Sequence, residues 1–185
     1  SSPYYKEKLR LRSYRIPKSP NDTVFLELKK KINGMVNKRR AVITLQEADD
    51  FLNKGIVPKY DDFTTKQVLH EIEYYLSHTK INPAVYIGYN RIAFFGKEDR
   101  DFRLTIDSKI LTRREDLSLE SGNYGINILE KGQYLMEVKI LGAIPLWLTS
   151  IFSDLKIYST HFSKYGNEFM AYCNKNNKQR RQEIC

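Results

Sequence analysis

Period-two alternation of charge and hydrophobicity near the start of the chain constrains its fold most. In Lys6-Glu7-Lys8-Leu9-Arg10-Leu11-Arg12-Ser13-Tyr14, the cations fall on even positions, with Leu9 and Leu11 between them. In Phe25-Leu26-Glu27-Leu28-Lys29-Lys30-Lys31, Phe25, Glu27, Lys29 and Lys31 share one parity, and Leu26 and Leu28 take the other. Successive side chains of a strand point to opposite faces. Each segment therefore reads as a strand with one apolar and one charged face. Like charges side by side on a sheet are unfavourable unless an anion or water lies among them. The whole chain agrees, with a net charge of +9. That excess favours a nucleic acid, a phosphate polymer or an acidic membrane surface, without choosing among them.

The rest of the chain continues the pattern. Residues 4–14 and 23–31 are expected strands around a Pro-rich turn at 17–22, and Asn33-Gly34 is a hairpin signal leading into a third strand, Met35 to Thr44. There Lys38, Arg40 and Val42 oppose Arg39, Ala41 and Ile43. Thr44-x-x-Glu47 is a capping box for a short helix that buries Ala48, Phe51 and Leu52 and stops near Gly55. Thr64-x-x-Gln67 is read as the start of a longer helix with the stripe Val68, Leu69, Ile72, Tyr75 and Leu76. Val85 to Phe95 and Asp101 to Lys109 form a second hairpin, the latter with Arg103, Thr105 and Asp107 on one face. Residues 111–132 read as a loop, and Gln133 to Leu141 as a strand with Leu135, Glu137 and Lys139 together. Pro145 opens a helix carrying Leu146, Trp147, Leu148, Ile151 and Phe152, and a last helix runs from Ser163 to Asn174. The 185 residues thus divide into one domain, 1–174, and a basic tail, 175–185, expected to fray.

Several chemistries are excluded or left without support. Cys173 and Cys185 make neither a disulfide framework nor a zinc site, which favours a reducing compartment. No signal peptide or long apolar run is present. His70, His78 and His161 are scattered, there is no Walker loop or kinase signature, and Gly88 and Gly96 do not make a phosphate loop. The 13 tyrosines spread along the chain, which fits packing better than an RNA-stacking platform.

Charged positions recur on one face of each expected strand: Lys8, Arg10 and Arg12; Glu27 and Lys29; Lys38 and Arg40; Arg91; Arg103 and Asp107; Glu137 and Lys139. A solvated outer face explains any one of these. Their recurrence in every strand favours a shared polar interior. The expected fold is α+β, an antiparallel β-barrel or tunnel with helices packed outside and charged faces lining the lumen.

Seven segments carry a more specific resemblance: Lys8-Leu9-Arg10-Leu11-Arg12-Ser13-Tyr14, Leu26-Glu27-Leu28-Lys29, Lys38-Arg39-Arg40, Tyr89-Asn90-Arg91, Arg103-Leu104-Thr105-Ile106-Asp107, Glu137-Val138-Lys139 and Phe162-Ser163-Lys164-Tyr165. In order and strand placement the chain resembles the vacuolar transporter chaperone (VTC) domain, the polyphosphate polymerase branch of the triphosphate tunnel metalloenzyme (CYTH-like) superfamily. The family's N-terminal helix and first tunnel strand have no counterpart here, so the N-terminal strand is expected to be missing. The resemblance implies that ATP and a growing polyphosphate chain lie among basic side chains. Arg10, Arg12, Lys29, Arg91, Arg103 and Lys164 match its catalytic cations, with Lys8, Lys38, Arg40, Lys139 and Tyr89 as further phosphate contacts. It further implies a divalent metal, Mn²⁺ or Mg²⁺, on Glu137, with Glu27 as a second candidate ligand.

The implied reaction moves the γ-phosphoryl group of ATP to phosphate or polyphosphate. Alternatives are a tunnel-fold triphosphatase and a non-catalytic polyphosphate- or RNA-binding subunit. Expected partners are ATP and inorganic polyphosphate, without nucleic acid. The resemblance allows a membrane-protein partner and a cytoplasmic location, or the cytoplasmic face of a membrane.

Overall fold

A computed structural model describes residues 4–182, with side chains to residue 176. The chain divides into two units, residues 1–84 with 117–122, and residues 85–116 with 123–185.

The first unit is built on an antiparallel three-stranded sheet, β1 (Tyr5–Arg12), β2 (Thr23–Ile32) and β3 (Met35–Thr44). Asn33 and Gly34 join β2 to β3 with φ of 45° and 84°, the left-handed pair that a tight hairpin requires. Thr44 then caps α1 (Leu45–Lys54): its hydroxyl accepts from the Glu47 amide, and the Glu47 carboxylate accepts from the Thr44 amide. Gly55, at φ 71°, ends α1. Asp62, rather than Thr64, caps α2 (Phe63–His78), because its carboxylate reaches the Thr65 amide at 3.0 Å. The apolar parity of β2 and β3 and the stripes of both helices meet in one core of Val24, Leu26, Leu28, Ala41, Ile43, Ala48, Phe51, Val68, Leu69 and Ile72. Leu9 and Leu11 of β1 pack against its edge.

The second unit is built on β4 (Tyr86–Phe95), β5 (Arg103–Arg113), β6 (Ile126–Asn127) and β7 (Leu135–Lys139). The strand β5 pairs with β4 along one edge and with β6 and β7 along the other, all antiparallel. β5 continues past the expected Lys109 because a bulge lets it. Lys109, at φ 49°, and Ile110 together oppose Tyr89, and the buried parity passes from Thr105 and Asp107 to Ile110 and Thr112. Part of the expected loop at 111–132 is therefore strand. The expected strand at 133–141 keeps only Leu135–Lys139.

Pro145 caps α3 (Leu146–Asp154) from outside, and only Leu148 of its apolar residues is buried. Ser163 accepts from the Gly166 amide at 3.1 Å at the start of α4 (Lys164–Gln182). The backbone of α4 is helical to Gln182, so the helix extends past the expected Asn174, and 183–185, with Cys185, lie outside the described residues. Arg114 pins α4 to the end of β5 with two bonds to Glu168, at 2.7 and 2.9 Å. Neither position carried a local signal, since they are 54 residues apart.

The α+β class and the antiparallel pairing hold, but the described strands form two open sheets and no closed barrel. Among the described residues no helix is long and apolar enough to cross a membrane, and Cys173 is a free thiol.

Candidate functional site

Cross-strand register arranges the polar face of each sheet as a grid. In the first sheet Arg10, Glu27 and Arg40 stand abreast, with Lys8, Lys29 and Lys38 as the next row and Arg12, Phe25 and Val42 on the other side. Glu27, 1% exposed, is the hub. Its Oε2 accepts from Arg10 Nε at 2.8 Å and from Arg10 Nη2; its Oε1 accepts from Arg40 Nε at 2.8 Å, from Arg40 Nη2 and from Lys38 Nζ at 3.0 Å. Burial pushes the Glu27 carboxyl up, but the bonds from Arg10, Lys38 and Arg40 outweigh it and hold it at about 2. Arg40 also lies 4.9 Å from the Phe25 ring centre, and Arg12 5.8 Å from that of Tyr14. In the lysine row, burial first and then Lys6, Lys29 and Arg10 hold the Lys8 ammonium below its ordinary range.

In the second sheet the rows are Arg91, Asp107 and Leu135; Ala93, Thr105 and Glu137; and Phe95, Arg103 and Lys139. Asp107, also 1% exposed, accepts from Arg91 Nε at 2.6 Å, Arg91 Nη2 at 2.7 Å and Lys164 Nζ at 2.5 Å. Burial raises its carboxyl, and the bonds from Arg91 and Lys164 bring it below the usual range. Donating to Asp107 in turn pushes the Arg91 guanidinium up.

Lys164 begins α4, where the helix dipole disfavours a cation. Asp107 offsets that cost and leaves the lysine side chain 19% exposed. The ring of Tyr89, beside the bulge, lies 5.1 Å from the Arg91 guanidinium and 4.7 Å from the Lys164 ammonium. Glu137 is half exposed, with Lys139 at 3.4 Å and Arg91 at 3.9 Å.

Between these groups lies a cavity of about 30 Å³ lined by Arg91, Arg103, Thr105, Glu137 and Lys139. Arg103 Nε and Thr105 Oγ1, both buried, have no hydrogen-bond partner there. Native proteins seldom leave buried polar atoms unpaired, and those that are call for an explanation.

The expected residues thus fall into two sets. Lys8, Arg10, Arg12, Glu27, Lys29, Lys38 and Arg40 share the first polar face, and Arg91, Arg103, Glu137 and Lys139 the second, with Tyr89 and Lys164 at its Asp107 end. The sequence reading gave no role to Asp107 or Thr105. The available signal was register: once Arg91 stands opposite Asp107, and Thr105 opposite Glu137, their parts become visible.

Among the described residues no group of three or more His, Cys, Asp or Glu could hold a metal. Both oxygens of Glu27 and both of Asp107 are taken by cations. Glu137, with only looser contacts at 3.4 and 3.9 Å, can share a hard cation with phosphate oxygens. The second face gathers cations, two unpartnered donors and one carboxylate beside a small cavity.

No curated protein matches the chain. A family model, that of the VTC domain, matches residues 1–172, which is most of the molecule. With a likeness of that extent and the cationic faces in place, the chain belongs to the VTC domain family, a family associated with polyphosphate synthesis.

Proposed function

We propose that this protein is a polyphosphate polymerase that transfers the γ-phosphoryl group of ATP to a phosphate or polyphosphate acceptor. The observation that carries the reading, beside family membership, is the polar face of the second sheet. There Arg91, Arg103 and Lys139 surround a cavity in which two buried donors lack partners. Such a face suits phosphoryl transfer, which depends on positioning and on neutralising charge more than on covalent chemistry.

Arg91 and Arg103 orient the terminal phosphoryl group with planar, multi-donor contacts, while Lys139 supplies a point charge. Lys164 is held by Asp107 until an anion competes for its ammonium. Arg10, Arg12, Lys29, Lys8, Lys38 and Arg40 attract and hold the polyanion on the first polar face, and Glu27 fixes Arg10, Lys38 and Arg40 there as an organiser, not as a metal ligand. The acceptor end is already an oxyanion, so no strong base is needed. His70 and His78 accordingly sit exposed on α2, bonded to their own helix. Glu137 is the residue that would hold a divalent cation, which when bound offsets charge on the phosphate oxygens. The tunnel form of the fold is part of the proposal, tested by a structure with tripolyphosphate bound.

The decisive experiment incubates the protein with ATP and Mn²⁺ or Mg²⁺ and separates the products by size. Long polyphosphate supports the reading. Free phosphate alone would replace it with a triphosphatase, and tripolyphosphate binding without turnover with a binding subunit.

A further inference from the structure

We infer that Thr105 is a direct ligand of the substrate's terminal phosphoryl group, through a hydroxyl that no other group of the protein partners. The inference rests on the phosphoryl-transfer reading above and names a residue for it. Thr105 occupies the middle of the second polar grid, between Ala93 on β4 and Glu137 on β7. It is 4% exposed, and its Oγ1 has no partner. Two positions along β5, on the same face, Arg103 Nε is also buried without one.

A buried hydroxyl with no hydrogen bond costs stability, and valine would fill the same volume without that cost. The fold therefore gains nothing from this oxygen. Its use lies with a guest.

The cavity of about 30 Å³ admits only about two water-sized groups. A nucleobase or ribose does not enter; two oxygens of one phosphoryl group do. Arg91, Arg103 and Lys139 select for an anion at the rim, and the Thr105 hydroxyl and Arg103 Nε–H donate to its oxygens.

The test compares wild type, Thr105→Val and Thr105→Ser by calorimetric titration with inorganic tripolyphosphate, together with melting temperatures of the ligand-free proteins. Thr105→Val is expected to melt at or above the wild-type temperature and to bind about tenfold more weakly, the loss of one hydrogen bond to a charged acceptor. Thr105→Ser keeps the donor and should bind like wild type. Wild-type affinity in Thr105→Val, as if a water alone used the hydroxyl, overturns the inference. So does a drop in its melting temperature with unchanged affinity, which would make the hydroxyl structural. Should Thr105→Val not fold, Thr105→Ala removes the hydroxyl with a smaller side chain: weaker binding than Thr105→Ser supports the inference, and binding equal to wild type overturns it. A wild-type protein that does not bind tripolyphosphate overturns the functional reading itself, a result distinct from a binding wild type with an indifferent Thr105.

Discussion

The two sheets share a plan and differ in how completely they satisfy it. Each carries a grid of charged side chains around a buried carboxylate, Glu27 in one and Asp107 in the other. The first sheet seals its apolar face under α1 and α2, and both Glu27 oxygens take charged donors. In the second sheet the faces are inverted. Thr105 and Asp107 are buried, while Ile92 and Phe94 on the opposite parity are 61% and 50% exposed. There two donors also stay unpaired. A sheet that satisfies its own carboxylate holds its cations in fixed places. One that leaves polar capacity unspent beside a cavity is where a ligand finds its partners.

If that division is right, equivalent phenylalanines should behave differently. Phe51→Ala, in the first core, should cost about 3–5 kcal/mol in urea unfolding, whereas Phe94→Ala should cost less than about 1 kcal/mol. Equal losses would erase the contrast. Next in size, Glu27→Gln should cost about 3 kcal/mol, because it leaves Arg10, Lys38 and Arg40 without their shared anion.

The pH dependence of wild type carries the same signature. The Glu27 carboxyl sits at about 2 in the fold against an ordinary 4.5. Its contribution of about 3 kcal/mol is therefore full above the ordinary value and is lost as pH falls from there toward the folded one. Glu27→Gln should flatten stability across that window. A pH profile identical in mutant and wild type would remove Glu27 from its role.

Effects on the second sheet should appear in turnover. Glu137→Gln should lower ATP turnover by about 100-fold with little change in melting temperature, since Glu137 is half exposed; near-wild-type turnover would remove it from the mechanism. Lys164→Ala should show the smallest of these effects, about tenfold in turnover and about 1 kcal/mol in stability, because it takes one of two cations from buried Asp107. A surface lysine would change neither, and a loss of stability alone would make Lys164 purely structural.

What the sequence revealed was local or periodic. The Asn33-Gly34 turn, the Thr44–Glu47 capping box and the leucine parity of β2 each depend on neighbours within a few positions, and each formed as read. The stripe Val68, Leu69 and Ile72 is likewise buried on α2. What stayed hidden depended on distant partners. The bulge at Lys109 and Ile110 changes parity in the middle of a strand, which no alternation rule foresees. Asp107 became a hub only through Arg91, 16 residues earlier, and Lys164, which arrives from another element. Face membership of the cations was readable, because parity alone sets it. Which carboxylates were already spent on cations was not, because that depends on register and reach.

The row of Lys8, Lys29 and Lys38 has a kinetic consequence. Three ammonium groups abreast project a field that draws a polyanion before it touches the protein, and that field is cut off beyond about 8 Å at physiological ionic strength. The Glu27 clamp acts at contact distance and is hardly screened. Added salt should therefore slow the encounter with long anionic chains while leaving the sheet that meets them intact.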